Sequence, residues 1–268
     1  MPIWNYTAKT RDARDADAAT KCPFCSDKLS LLFLDQEGAK THNENFRDTR
    51  GDVCQSCGWW RVRHEYGVWG HISEEMGQRY TGQTSCAAAS LKNLDLTNIS
   101  APLEEVRSFL IARYESRFTL NPRLFEETVG SVFSDLGYDV VVTSYSNDGG
   151  IDAVLTKNSS QVGVQVKRYR DSISVDQIRE FLGALLLAKI PQGIYITTSR
   201  FQTGAYSIAE RLEKECFPVE RVELIDADRF YDALKLTQRD AYTSKEDLLK
   251  SHAIDPDYLQ IIQSLDGY

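Results

Sequence analysis

The stretch GGIDAVLTKNSSQVGVQVKRY, residues 149–169, carries an acid, an amide and an amine at spacings that a β-hairpin would bring together. Asn158 and Ser159 are turn formers set between two runs that alternate apolar with other residues. A two-residue turn there pairs Lys157 with Ser160, which puts Asp152 opposite Gln165 and Gly150 opposite Lys167. Alternation places Asp152, Gln165 and Lys167 on one face, and Ile151, Ala153, Leu155, Val162, Val164 and Val166 on the other. Three polar groups on one small patch suit a divalent cation, an activated water and a phosphate. A solvent-exposed sheet face accounts for the same residues without any chemistry, because cross-strand polar pairs are common there.

The preceding helix adds a fourth candidate. Asn121 as N-cap and Pro122 at the first helical position open NPRLFEETVGSVFSDLG, and Gly137 closes it. On a helical wheel Phe125, Val129, Val132, Phe133 and Leu136 form the buried face. Glu126 falls at its edge, within reach of the hairpin's polar patch, whereas Glu127 falls on the solvated side.

A second constellation lies near the start of the chain. Cys22 and Cys25, in CPFC, and Cys54 and Cys57, in CQSCG, form two C-x-x-C pairs separated by 28 residues. Four thiolates so spaced make a closed tetrahedral Zn²⁺ site, a structural one. The separation exceeds the usual interval of about 15 to 20 residues. Disulfides or a redox pair are the alternatives, disfavoured by the absence of a secretion signal. His42, His64 and His71 are nearby but unnecessary, and Cys86 and Cys216 read as small buried residues. Trp59, Trp60, Arg61, Arg63, His64 and Trp69 offer either an aromatic and basic surface for DNA or a protein, or cover for the ribbon's small core.

Of the 268 residues, 42% are apolar and 26% charged, as in ordinary folded proteins, and the net charge of −8 excludes a generic basic nucleic-acid coat. A nucleic-acid enzyme with a local basic lip around an acidic, metal-holding centre remains compatible with that charge. The opening residues lack a signal-peptide pattern and FLGALLLAKI is too short to span a bilayer, so no membrane partner and a cytoplasmic location are expected. The chain divides into a flexible start (1–20), a zinc ribbon (21–80), a helical connector (81–119), an α/β domain (120–236) and an acidic, weakly helical tail (237–268). Within the connector, a helix starts near Ser100 or Pro102. Beyond the hairpin, Ser174 and Gln177 form a capping box for SVDQIREFLGALLLAKI. GIYITTS reads as a buried strand, TGAYSIAERLEKE as a helix and VERVELID as a last strand.

The elements PRLFEETVGSVFSDLGYDV, NDGGIDAVL, VGVQVKRY, IREFLGALL, GIYITTSRF and VELID resemble, in order and spacing, the catalytic domain of Mrr-type restriction endonucleases, within the PD-(D/E)xK superfamily. The resemblance spans about residues 120–236. It implies a restriction-endonuclease-like mixed sheet flanked by helices, with Asp152 as metal ligand and Gln165 and Lys167 as the (D/E/Q)xK pair. Glu126 matches the family's helix carboxylate, and Asp148 matches another often acidic position. Many superfamily members have Glu where Gln165 stands, so this site carries one charge fewer. The implied activity is Mg²⁺- (or Mn²⁺-) dependent DNA hydrolysis, with Asp152, Gln165 and Glu126 as ligands and Lys167 at the phosphate. Arg168 and Arg170 would extend a basic strip, and Ser199 and Arg200 are further candidate DNA contacts. Defence against foreign DNA is the implied role, with DNA as partner and a homodimer or a partner defence protein as further company. An idle binding subunit of a larger complex and a Holliday-junction resolvase are the alternatives.

Overall fold

In the computed structural model the described residues are 6–9, 18–38, 45–73, 77–143, 150–214, 218–237, 244–252 and 261–262. Within them, side chains at 6–9, 68–73, 77–85, 213, 251–252 and 261–262 are excluded. Asp148, Cys216 and His42 lie outside these residues, as do the side chains of Trp69 and His71. The chain forms two compact units: residues 1–93 with 238–268, and residues 94–237.

The first unit is an antiparallel sheet. Strands β1 (Tyr6–Lys9), β2 (Ser30–Gly38), β3 (Asn45–Val53), β4 (Trp60–Ser73) and β5 (Gly77–Leu91) are arranged β1-β5-β4-β3-β2. A short strand, Ile261–Ile262, also pairs with β5. Residues 6–9 are therefore a strand rather than part of a loose terminus, and 81–91 belong to this sheet rather than to a connector. The sequence TGQTSCAAAS has little strand propensity of its own; pairing along β4 supplies what propensity does not. Trp59 and Trp60 are buried, and the Trp59 indole N–H donates to Ala89 O at 3.0 Å. They are core residues, not a surface for bases. Asp52, 2% exposed, accepts from Arg50 and Arg61, and Arg61 also donates to Ala19 O, so these charges are spent internally. In the tail, Lys245–His252 is helical, and Lys245 pairs with Asp35.

The second unit begins with helix α1 (Leu103–Ala112) and a 3₁₀ turn (Tyr114–Phe118). Helix α2 (Pro122–Asp135) follows, then strands β6 (Asp139–Val142), β7 (Ala153–Lys157) and β8 (Ser160–Lys167), and helix α3 (Val175–Ala188). Strand β9 (Gln192–Thr197), helix α4 (Thr203–Lys214), strand β10 (Arg221–Ile225) and helix α5 (Ala227–Leu236) complete it. The sheet order is β10-β9-β8-β7-β6, with β10-β9 and β9-β8 parallel and the other pairs antiparallel.

Local signals explain most of these elements. Asn121 accepts from Arg123 N to cap α2, and the Ser174–Gln177 capping box is made in both directions. Asn158 and Ser159 both have positive φ, as a two-residue hairpin turn requires. The wheel of α2 holds except at its end: Phe125, Val129, Val132 and Phe133 are buried, but α2 stops at Asp135 and leaves Leu136 44% exposed. Helix α5 goes beyond the expected elements, although Asp226 is a plain N-cap for it, accepting from Arg229 N at 3.0 Å.

The two faces of the sheet are covered separately. Helix α2 packs where Gly130 meets Val140 and Val142, the face shared by their partners Leu155 and Ala153. Helix α3 covers the opposite face over Gly163 and Gly193, which pair with each other; a Cβ at either would lie 2.6 or 2.5 Å from Leu185. Two facing glycines thus let α3 sit close to the centre of the sheet. Buried Arg107 of α1 joins the unit's outer helices, pairing with Asp135 at 2.8 Å and donating to the carbonyl and hydroxyl of Thr237. The helix expected to link two domains is an integral part of this one.

Arg107→Ala should lower the stability of this unit by about 2–3 kcal/mol, because it removes the partner of both Asp135 on α2 and Thr237 at the end of α5. Urea denaturation followed by circular dichroism would read this as an earlier midpoint, against an Arg113→Ala control at an exposed site.

Candidate active site and metal centre

The hairpin register is as the two-residue turn predicts from Lys157↔Ser160 to Ala153↔Val164. It then breaks. Asp152 N donates to Val164 O at 2.8 Å, so Asp152 and Ala153 both address Val164, the geometry of a β-bulge. The bulge turns Ile151 into the α3 core, where it lies beside Gly163, rather than onto the face of Ala153 and Leu155. Period-2 alternation fails there because one extra residue has been inserted into the strand.

The same irregularity aims the Asp152 carboxylate across the β8 edge. Its Oδ2 accepts from Gln165 Nε2 at 2.5 Å and from Val166 N at 2.6 Å. Both side chains are buried, Asp152 to 8% and Gln165 to 5% exposure. Thr143 fixes the backbone from the other side, with its N–H and hydroxyl both donating to Asp152 O at 2.9 Å. Gly150 has φ +93, and the position of an added Cβ is 3.5 Å from Gln165 Oε1 and 3.4 Å from Ala184 Cβ. Lys167, half-buried, ends β8 two residues beyond Gln165, and β8 pairs with β9 without interruption up to Lys167↔Thr197. Lys167 therefore rises from the same face as Gln165.

Glu126 is 16% exposed on α2 and accepts from Arg123 Nη1 at 3.1 Å. The same Arg123 nitrogen donates to Thr143 O at 2.7 Å, so Glu126 is tied to Asp152 through Arg123 and Thr143. Glu127, 34% exposed, takes Arg123 Nε. Arg123 is a site residue without a motif of its own; its position three before Glu126 is the sequence signal for it.

Around the end of β9 the polar side chains serve the backbone. Thr198 donates to Tyr169 O at 2.8 Å and Ser199 to Asp171 O at 2.7 Å, pinning the loop after β8. Ser199, 7% exposed, is thus bound into the loop rather than offered to DNA. Arg168, Arg170 and Arg200 are exposed; Arg168 donates to Phe118 O, and the Arg170 guanidinium lies 4.7 Å from the Phe118 ring centre.

In the first unit Cys22, Cys25, Cys54 and Cys57 present sulfurs all within 4.8 Å of one another. The nearest pairs, Cys22–Cys57 at 3.5 Å and Cys25–Cys54 at 3.4 Å, are far beyond a disulfide bond. Thiolates around a tetrahedral zinc stand roughly 3.8 Å apart, given Zn–S bonds of about 2.3 Å, so the cluster fits that ion. The two knuckles match: Ser26 N donates to Cys22 O and Gly58 N to Cys54 O, and both Ser26 and Gly58 have positive φ. Hydrogen bonding among the sulfurs pulls Cys22 and Cys54 down and pushes Cys25 and Cys57 up. Four sulfurs this close can all be thiolates only around a cation. His64 is not part of this cluster; its Nδ1 is bonded to Thr49 Oγ1 at 2.8 Å.

A mixed sheet with helices on both faces makes the second unit a restriction-endonuclease-like domain. Residues 118–234 match the Mrr_cat family, described as restriction endonuclease, a stretch within the second unit. Among solved structures the chain is similar to the MspJI restriction endonuclease in complex with a 27-mer oligonucleotide. That match has 19% identity and a TM-score of 0.33, over 60% of this chain and 36% of that one. It is also similar to the DNA modification-dependent restriction endonuclease AspBHI, at 14% identity and TM-score 0.37, over 70% and 59%. A third, AF1548, a protein of unknown function, has 12% identity and TM-score 0.32, over 41% and 57%. The chain thus spans between 36% and 59% of the length of these three structures. No curated protein matches it. Among the described residues no helix is long and apolar enough to cross a membrane.

Two outcomes follow from this geometry. Purified protein should carry zinc in equimolar amount by elemental analysis, and chelation at neutral pH should abolish the thermal transition of the first unit. Gly150→Ala should cost about 1 kcal/mol through its positive φ, read by thermal melting.

Proposed function

We infer that the second unit is a metal-dependent DNA endonuclease acting in restriction of foreign DNA in the cytoplasm. The observation that carries this reading is the buried Asp152–Gln165 pair beside Lys167, inside the segment that matches a restriction-endonuclease family. A buried carboxylate is costly unless paired, and here it is held by an amide and a backbone N–H. The donor set fits a small divalent cation. Asp152 supplies a carboxylate and Gln165 an amide oxygen, the hard oxygen ligands that Mg²⁺ or Mn²⁺ takes. Glu126 is the candidate for a further carboxylate, once released from Arg123. A cation held there would polarise the scissile phosphate and lower the pKa of an attacking water.

The chain's own residues have distinct tasks in this reading. Gln165 now donates its Nε2 to Asp152, so offering Oε1 instead requires the amide to turn over. Gly150 leaves room for that rotation beside Oε1. Lys167 places a positive charge next to the reacting phosphate, where negative charge grows in the transition state. Arg123 holds Glu126 and the Thr143 carbonyl together, which keeps α2 registered against the bulge. Arg168 and Arg170 meet neighbouring backbone phosphates, contacts that position the duplex without reading its sequence.

Nicking of plasmid and phage DNA with Mg²⁺ or Mn²⁺ tests the reading. Wild type should cut, and Asp152→Ala and Lys167→Ala should each lose on the order of 10³-fold in rate, as removal of one electrostatic element does elsewhere. Wild-type inactivity on every DNA tested, with undiminished DNA binding, would favour an idle binding subunit instead.

A further inference from the structure

Just past Lys167 the second unit gathers three arginines around Phe118, two over its ring and one on its carbonyl. Arg117 is largely buried, 15% exposed, and its Nε donates to Thr198 O at 3.0 Å and its Nη1 to Tyr114 O at 3.1 Å. Its guanidinium lies over Phe118, 4.1 Å from the ring centre, and over Tyr114, 4.5 Å away. Phe118 in turn supports two exposed arginines: Arg170 over its ring and Arg168, whose Nη1 donates to its carbonyl at 2.6 Å. Among the described residues the carboxylate paired with this cluster is Glu115, 87% exposed and 3.4 Å from Arg117. Thr198 closes the arrangement by donating to Tyr169 O between the two exposed arginines.

We propose that Phe118, braced by Arg117, is the platform of a preformed phosphate clamp in which Arg168 and Arg170 grip the nucleic-acid backbone beside the phosphate at Lys167. This rests on the nuclease reading above and adds to it Arg117 and Phe118, residues that no phosphate contact requires directly. The physical case has three parts. Guanidinium groups crowded on one ring repel each other, and an anion relieves that repulsion. The Phe118 ring holds the exposed Arg170 guanidinium in place, so less rotamer entropy remains to be lost on binding. The two exposed arginines also converge just past the end of β8, Arg168 on the Phe118 carbonyl and Arg170 over its ring, so one backbone segment can meet both. The ring is a mount rather than a stacking surface for bases, since it is half-buried with a guanidinium already over it.

The test is equilibrium binding of a fluorescent 30-base-pair duplex to the full chain carrying Asp152→Ala, across a series of salt concentrations. Phe118→Leu keeps an apolar side chain and removes the π face; Phe118→Tyr keeps the face. Phe118→Leu and Arg170→Ala should each weaken binding several-fold at about 0.1 M salt and reduce the slope of log K against log salt by about 0.9, one phosphate contact. Phe118→Tyr should bind like the parent, and the Phe118→Leu/Arg170→Ala double variant should be no weaker than Arg170→Ala alone. Parent-like affinity and slope for Phe118→Leu, or effects that simply add, would overturn the clamp while leaving the nuclease reading intact. A parent chain that does not bind the duplex at all would overturn both.

Discussion

One carboxylate oxygen organises the second unit. Asp152 Oδ2 receives both the Gln165 amide and the Val166 backbone N–H, at the point where β7 begins. A strand that kept regular pairing would send Asp152 N–H to the facing residue and leave the carboxylate with a single cross-strand neighbour. The bulge instead lets one side chain satisfy two donors, so that a negative charge can be buried in the middle of a mostly apolar sheet. Much of the surrounding architecture is consistent with that need. Thr143 clamps the carbonyl of the same residue, Gly150 makes the turn into the strand, and Ala184 of α3 closes the space behind it.

The layer arrangement follows from a similar economy of space. Facing glycines in β8 and β9 admit α3, whose Phe181 packs edge-on against Tyr195. Tyr195 is the β9 partner of Gln165, and burial pushes its phenol upward, so it stays neutral beside the acid. On the other face Phe125 of α2 meets Phe230 of α5 edge-on at 5.4 Å. Aromatic contacts thus pack the sheet's two sides, and one of their rings, Tyr195, neighbours the polar pair.

The parts legible in the sequence were those set by local chemistry. Asn158 and Ser159 specified the turn, the turn specified the register, and Ser174, Gln177 and Asn121 marked where helices start. The order of elements from α2 to β10 followed the sequence pattern, and α5 did not. What stayed hidden depended on partners distant in sequence. Nothing around Asp152 announces an extra residue in the strand, because the bulge is defined by Val164 on the opposite strand. Residues 81–91 read as a connector by composition, and become part of a strand only because β4 lies beside them. Arg107 resembles any surface arginine until Asp135 and Thr237 arrive from other ends of the fold. The wheel singles out Glu126 as a candidate, but its tether to Arg123 concerns side-chain geometry that a wheel does not contain.

The division of the chain has a consequence for how the protein is made. The first unit is discontinuous: residues 1–93 and 238–268 belong to it, and the whole second unit is spliced between them. During synthesis the four cysteines and the five leading strands emerge long before residues 261–262, which add to the outer side of β5. The inserted domain, by contrast, is continuous and has all its strands available once residue 237 has left the ribosome. Domains that emerge complete can fold as units while translation proceeds. The nuclease-like domain is therefore able to reach its final form while the cysteine-bearing sheet still waits for its last strand.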